Sequence, residues 1–344
     1  MPPSLPPPPQ SSAAVSPATL RRLALHPDCA GARDALLASA EASATLAGRR
    51  SVLGMLSLSV THPPSVGRRR EVFDAAGAKG LGSLARSEGE PAALDPMANA
   101  AYDATGTTYD FYASVLRRDS IDGLGMRIET TVNSGFAPDN AMWSGSRLLL
   151  GERTPKGPFV RCFATALDVV AHEITHGVLQ YAVPGGGLSH EGQAGALAES
   201  WCDVLGCVVL QWHRQEVATA AEWAIGGGLL DPGFGAALRS LAAPGTAWIG
   251  DDQPSDMSGY VNGGDPHTNS GIPNHAFYLA ATALGGRSWE KAAPIWYRAL
   301  ALLTPRATFA EAAQATVDAA TLLYGAGSLE VEVVTEAWQR VKVL

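Results

Sequence analysis

The stretch VVAHEITHGV, residues 169–178, decides how this chain is read. Within residues 166–183 (ALDVVAHEITHGVLQYAV), apolar side chains recur at 167, 170, 174 and 178. Steps of three and four predict an α-helix. His172 and His176 then project from one face, one turn apart, where two imidazoles can share a Zn²⁺. Glu173 is rotated away from such a metal but can reach a water held by it. The competing reading is a solvated helix face. Three polar groups embedded in an otherwise apolar helix weigh against it, because burial without partners is costly.

A third ligand has to come from another element. Residues 194–212 (AGALAESWCDVLGCVVLQW) predict a second helix, with Glu199 and Asp203 four apart and no Lys or Arg to neutralise them. Buried carboxylates need a cation or metal. Glu199 fits as a ligand, and Asp203 fits as acceptor of the second ring N–H of a ligating histidine.

The order H-E-x-x-H, then E-x-x-x-D, resembles the thermolysin family of zinc metallopeptidases. Other segments extend the resemblance over about residues 68–344. DPHTNSGIPNHAFYLAA (265–281) is similar to the block carrying the family's catalytic histidine, here His267. DNAMWSG (139–145) resembles its substrate-pairing edge strand, and ALRSLAAP (237–244) the segment holding its substrate-binding arginine, here Arg239. The resemblance implies an α+β, two-lobed fold with the zinc helix between a mixed α/β lobe and a mainly helical lobe. It implies one catalytic zinc on His172, His176 and Glu199, with Glu173 as general base and His267 on the developing oxyanion. Asn140, the Ala141 backbone and Arg239 would hold the peptide, and Arg239 would also buttress Asp203. Cleavage on the amino side of large apolar residues is the corresponding specificity.

The chain departs from the family pattern in the longer His176–Glu199 spacing, with extra residues in VPGGG (183–187), and at three residue positions. The position of a tyrosine that assists the catalytic histidine falls on His190, which could donate a hydrogen bond in its stead. The aspartate expected five residues before His267 is Asn262, leaving Asp265 as a substitute. Of the acids that build the family's double calcium site only Asp168 remains; the others are Leu210, Ala224 and Gly227. One carboxylate cannot form a six- to eight-oxygen cage, so no calcium is expected there and Asp168 becomes a helix-start or ion-pair residue.

Bulk properties set the frame. The 344 residues carry a formal charge of −8, with 46% hydrophobic residues. Acidity argues against nucleic acid or anionic membrane as partner, and no run of eighteen apolar residues appears. The expected layout is a leader at 1–65, an α/β lobe at 66–165 and a helical lobe at 166–344. The leader begins MPPSLPPPPQSSAAV and continues into helical patterns (18–50). It lacks the basic and apolar regions of a Sec signal, so cytoplasmic residence or export by another route is expected. Length and leader resemble the family's protealysin-like branch, as do LGSLARSEG (81–89) and RRDSIDGLG (117–125). That resemblance implies a zymogen whose own short propeptide covers the cleft and is self-cleaved between about 45 and 75. Residues 69–91, dense in Gly and charge, read as exposed, suited to a linker or a processing site. Four cysteines show no disulfide spacing and read as buried free thiols; Cys29 could alternatively ligate zinc in the latent form.

The expected partners are peptide or protein substrates, the propeptide and a proteinaceous inhibitor, with the chain a monomer. Two further readings stand beside an active endopeptidase. One is a zinc-binding but weakly active homologue serving as a scaffold, motivated by His190, Asn262 and the missing calcium acids. The other is an aminopeptidase, for which no acidic anchor for a free amine is visible.

Overall fold

The computed structural model describes residues 12–56 and 67–344. In chain order the regular elements are strand β1 (Ser12–Ala13), helices α1 (Pro17–Leu25) and α2 (Arg33–Leu56), strands β2 (Arg70–Asp74) and β3 (Ser83–Ser87), helix α3 (Pro96–Ser114), strands β4 (Ile128–Val132), β5 (Ala141–Trp143) and β6 (Leu148–Leu150), and helices α4 (Leu167–Ala182) and α5 (Gly192–Arg214). A small ribbon of β7 (Ala224–Ile225) and β8 (Arg239–Ser240) follows, then helices α6 (Pro266–Asn269), α7 (Gly271–Leu284), α8 (Ala292–Ala299), α9 (Phe309–Tyr324) and α10 (Leu329–Arg340). Strands gather before residue 165 and helices dominate after it, giving the two-lobed α+β architecture.

Six strands form one sheet in the order β1-β5-β6-β4-β2-β3. The pairs β2–β4 and β4–β6 are parallel, and β5–β6, β2–β3 and β1–β5 are antiparallel. Strand β5 would be an edge without β1, the two-residue strand that closes it.

Residues 69–91 are not a linker. Arg70–Asp74 is an interior strand, paired on both sides, with Val72 fully buried. Arg70 is buried too; its guanidinium stacks on Tyr102 and binds both oxygens of Glu88 at 2.6 and 2.7 Å. The Gly and charge density of this segment belongs to the connecting turn, Ala75–Gly82, and to these ion pairs. A maturation cut at the C-terminal end of the 45–75 window would have to break this pairing. Residues 45–56 of that window belong to helix α2, and 57–66 lie outside the described residues.

Helices α4 and α5 pack closely because glycine lets them. A Cβ on Gly206 would lie 2.5 Å from the Asp168 carbonyl oxygen and 3.4 Å from the His172 Cβ. A Cβ on Gly177 would lie 2.8 Å from the Trp143 ring, so this glycine lets β5 approach the other side of α4. Thus α4 is held between the sheet and α5. The helical lobe has its own anchors in fully buried Trp201, Trp296 and Trp338; the last two stack at 6.3 Å.

Candidate active site

Both histidines of α4 are buried, His172 completely and His176 with 4% exposure. Their Nε2 atoms lie 3.1 Å apart. Helix α5 brings Glu199 against them, its Oε2 at 3.4 Å from His172 Nε2 and 3.7 Å from His176 Nε2. Tetrahedral zinc with N and O ligands at about 2.0–2.2 Å requires ligand–ligand edges of roughly 3.4 Å. The three observed edges fit that triangle. Glu199 Oε2 also lies 3.1 Å from His267 Nε2, yet hydrogen-bonds to none of these imidazoles. Four such groups converging with an acceptor unused is a donor set suited to a cation. Cys202, one turn after Glu199, also sits near the two histidines and completes a further possible metal-holding group. Cys29 does not join this group: it is buried in the core, and all four cysteines are free.

Glu173 is wholly buried. Its Oε2 accepts the Trp143 backbone N–H at 2.6 Å, whereas its Oε1 has no hydrogen-bond partner among the described residues. Burial, with the nearby Glu199 charge, pushes the Glu173 carboxyl up to about 8, against the opposing pull of His172. Burial likewise depresses His176 to about 4. For His172, the Asp203 and Glu199 carboxylates beside the ring outweigh burial and raise it to about 9.

Asp203 stands behind His172, its Oδ1 2.9 Å from His172 Nδ1. Arg239 Nε and Nη2 donate to Asp203 Oδ2 and Oδ1 at 2.8 and 2.7 Å. Asn274 Nδ2 donates to Oδ2 at 2.9 Å. Burial works against the Asp203 anion, but Arg239 and His172 hold it well below the usual carboxylate range. Asn274 was not singled out from sequence; an Asn amid the apolar face of α7 is the signal that could have found it.

His267 opens α6. Asp265, the N-cap of that helix, accepts the His267 backbone N–H at 2.9 Å and faces its Nδ1 at 3.0 Å. Asn262 lies in an exposed loop. Asp265 therefore orients the ring, two residues away rather than five. Burial opposes a charged His267, but Glu199 and Asp265 outweigh it and raise the ring well above its ordinary range. His190 lies exposed just before α5, close enough for its charge to bear on His176. Asp168 begins α4 buried, its carboxylate accepting the Val169 and Gly226 N–H groups at 3.0 and 2.7 Å, as a helix-start residue does.

The N-terminal segment fills the cleft between these groups. Asn140 Oδ1 accepts the Val15 N–H at 2.9 Å, and its Nδ2 donates to the Val15 carbonyl at 2.8 Å. The Ala14 N–H donates to the Ala141 carbonyl at 3.0 Å, and Arg239 Nη1 donates to the Ala14 carbonyl at 2.7 Å. His267 Nε2 lies 2.8 Å from the Ala13 carbonyl oxygen, and Ser12 Oγ donates to Glu199 Oε1 at 2.7 Å. Ser12 had no assigned role in the sequence; its short polar side chain carries no signal that distinguishes it from a loop serine.

Comparisons with known proteins agree with this geometry. A family profile described as thermolysin metallopeptidase, catalytic domain, matches residues 84–180, and one described as thermolysin metallopeptidase, alpha-helical domain, matches 186–343. The chain is 39% identical over 317 residues to an extracellular metalloprotease of Pectobacterium carotovorum subsp. carotovorum, covering 86% of this chain and 89% of that protein. It is 35% identical over 261 residues to a thermolysin of Alicyclobacillus acidocaldarius subsp. acidocaldarius, covering 73% of this chain but 46% of the relative, about half its length. The solved precursor of protealysin, a metalloproteinase from Serratia proteamaculans, superposes with a TM-score of 0.84 at 37% identity, covering 97% of this chain and all of that one.

Proposed function

This chain belongs to the thermolysin family of metallopeptidases, in its protealysin-like form, and from that premise we propose which of its residues perform the chemistry. It is a zinc-dependent neutral endopeptidase, made as a precursor. His172, His176 and Glu199 hold the zinc; the observation that carries this is the triangle of buried ligand atoms with edges of 3.1, 3.4 and 3.7 Å. When bound, zinc supplies Lewis acidity to the scissile carbonyl and lowers the pKa of an attacking water to about 7.

The protein side chains do the rest. Glu173, fixed through one oxygen by Trp143 and ionised once a cation occupies the neighbouring ligand triangle, offers the other to the water, takes its proton and hands it to the leaving amine. His267, oriented by Asp265, donates to the carbonyl oxygen as charge develops. His190 is the second donor in place of the family tyrosine. Asn140, Ala141 and Arg239 hold the peptide as an added strand on β5. Arg239 and Asp203 keep His172 aimed at the metal. Cleavage falls on the amino side of large apolar residues, and Leu238 and Trp248 supply apolar lining beside Ala14 and Val15. Asp168, already engaged by two N–H groups, holds no calcium. Residues 1–65 are the propeptide, 66–165 the α/β lobe and 166–344 the helical lobe.

The enzyme acts as a monomer, and a protein inhibitor would compete for the same cleft. The extracellular relative supports export over cytoplasmic residence. Among the described residues no helix is long and apolar enough to cross a membrane.

The test is hydrolysis of a fluorogenic peptide with an apolar residue after the scissile bond. Activity should vanish on chelation and return with about one equivalent of zinc. Chelator-insensitive cleavage would contradict the assignment.

A further inference from the structure

We propose that the enzyme cuts its own chain in cis at the Ala13–Ala14 bond, releasing residues 1–13 before any removal of the rest of the leader. The proposal rests on the peptidase reading above and adds a substrate, a register and a product. The leader could block the cleft in many ways: end in it, cross it or run backwards through it. Instead it runs as a substrate would. Strand β1 is antiparallel to β5, with Ser12 opposite Trp143 and Ala13 opposite Met142.

Each main-chain group of the segment then meets a group of the site. Val15 is bracketed by the Asn140 amide. The Ala14 N–H is on the Ala141 carbonyl and the Ala14 carbonyl on Arg239. The Ala13 carbonyl lies at His267 Nε2. Arg239 holds the residue after the bond and His267 the carbonyl before it, so the peptide between them, Ala13–Ala14, occupies the reacting position. Ser12 on Glu199 anchors the side that leaves as acid. Ala13, Ala14 and Val15 are all buried, with Ser12 before them and helix α1 following.

Glu199, His267 and Arg239 hold the residues on either side of that bond, and Glu173 sits on the N–H of Trp143, the residue opposite Ser12. Water adds to the Ala13 carbonyl carbon, its proton going to Glu173. The carbon–nitrogen bond breaks, the Ala14 nitrogen takes that proton and leaves as an amine, and Ala13 leaves as a carboxylate. No oxidant or co-reactant enters. The new amino terminus at Ala14 remains clamped by Ala141, Arg239 and Asn140. The small Ala14 side chain is a poor match for a site selecting large apolar residues, so the cut is slow.

The test follows the intact mass and N-terminal sequence of the purified full-length chain after zinc is added. Glu173→Gln and Ala14→Pro variants run in parallel, with an added fluorogenic peptide as control. The expected result is a 1–13 peptide and a chain beginning at Ala14. The first-order rate should stay constant over a 100-fold range of protein concentration. Neither variant should release the peptide; Ala14→Pro lacks the N–H that Ala141 accepts but keeps every group of the site. If the added peptide is cut while the Ala13–Ala14 bond stays whole, the proposal fails and the peptidase reading stands. A rate that scales with protein concentration also overturns it, since the cut is then intermolecular. If neither is cut, the proposal fails; the peptidase reading fails with it where the chain stays inactive toward the added peptide after trypsin has removed the leader.

Discussion

Arg239 faces Asp203 through two parallel hydrogen bonds of 2.8 and 2.7 Å, both side chains buried. A bidentate pair of this kind keeps a charge in the interior that desolvation would otherwise forbid. Asp203 touches His172 on its other side, so the pair ties the substrate arginine to the metal face of α4. Replacing Arg239 by Leu leaves a buried carboxylate with Asn274 as its remaining hydrogen-bond donor. Thermal or denaturant unfolding should show a loss of about 3–5 kcal/mol. Asp203→Asn keeps the shape but weakens the hold on His172, and zinc affinity by competition with a chelator should fall about 10- to 100-fold.

Asp265 carries a pH signature. Burial would raise its carboxyl, but His267 outweighs it and holds the group at about 2, below an unfolded value of roughly 3.9. A carboxyl depressed by folding stabilises the fold above the unfolded pKa and loses that contribution as pH falls through the folded one. The window is therefore about pH 4 down to about 2. Asp265→Asn should flatten the denaturant midpoint across that window relative to the parent and lower kcat, whereas Asn262→Ala should change neither.

The opposite sign holds at Asp168. Burial raises its carboxyl despite the Gly226 and Val169 N–H groups, so folding favours its neutral form and stability falls as pH rises through the raised value. Asp168→Asn retains an acceptor without the charge and should match or exceed the parent in Tm at neutral pH. Asp168→Ala strands a buried N–H and should cost about 1–3 kcal/mol. Millimolar calcium should leave the parent's Tm unchanged; a marked rise would place a calcium site here after all.

His190 separates a donor from a bystander. If it assists His267, His190→Ala should lower kcat by about 10²-fold at constant zinc content, and His190→Tyr should preserve most of the activity. An alanine variant with full kcat assigns the loop no part in the reaction.

Much of this site was legible in the sequence because it rests on helices. The period of α4 and α5 put His172, His176, Glu199 and Asp203 on facing sides, and side chains on regular helices go where spacing sends them. Asp265 was legible as an alternative, since capping residues announce themselves before a Pro-led turn. What was not legible depends on main-chain pairing between distant segments. Ser12 and Ala13 have no strand propensity of their own; they are a strand because β5 offers an unpaired edge. The same limit hid β2, whose Arg, Glu and Asp read as solvated charge until Glu88 and Tyr102 close over Arg70. Cys202 read as an inert thiol because sequence spacing between α4 and α5 says nothing of which residue meets the two imidazoles.

The most direct measurement compares peptide cleavage by the zinc-loaded parent and Glu173→Gln at matched metal content. Both should bind about one zinc per chain, because Glu173 is not a ligand, while the variant's kcat should fall by at least about 10²–10⁴-fold. A Glu173→Gln enzyme that cleaves at the parent's rate would contradict the base role of Glu173, and a parent chain that binds no zinc would contradict the metal site.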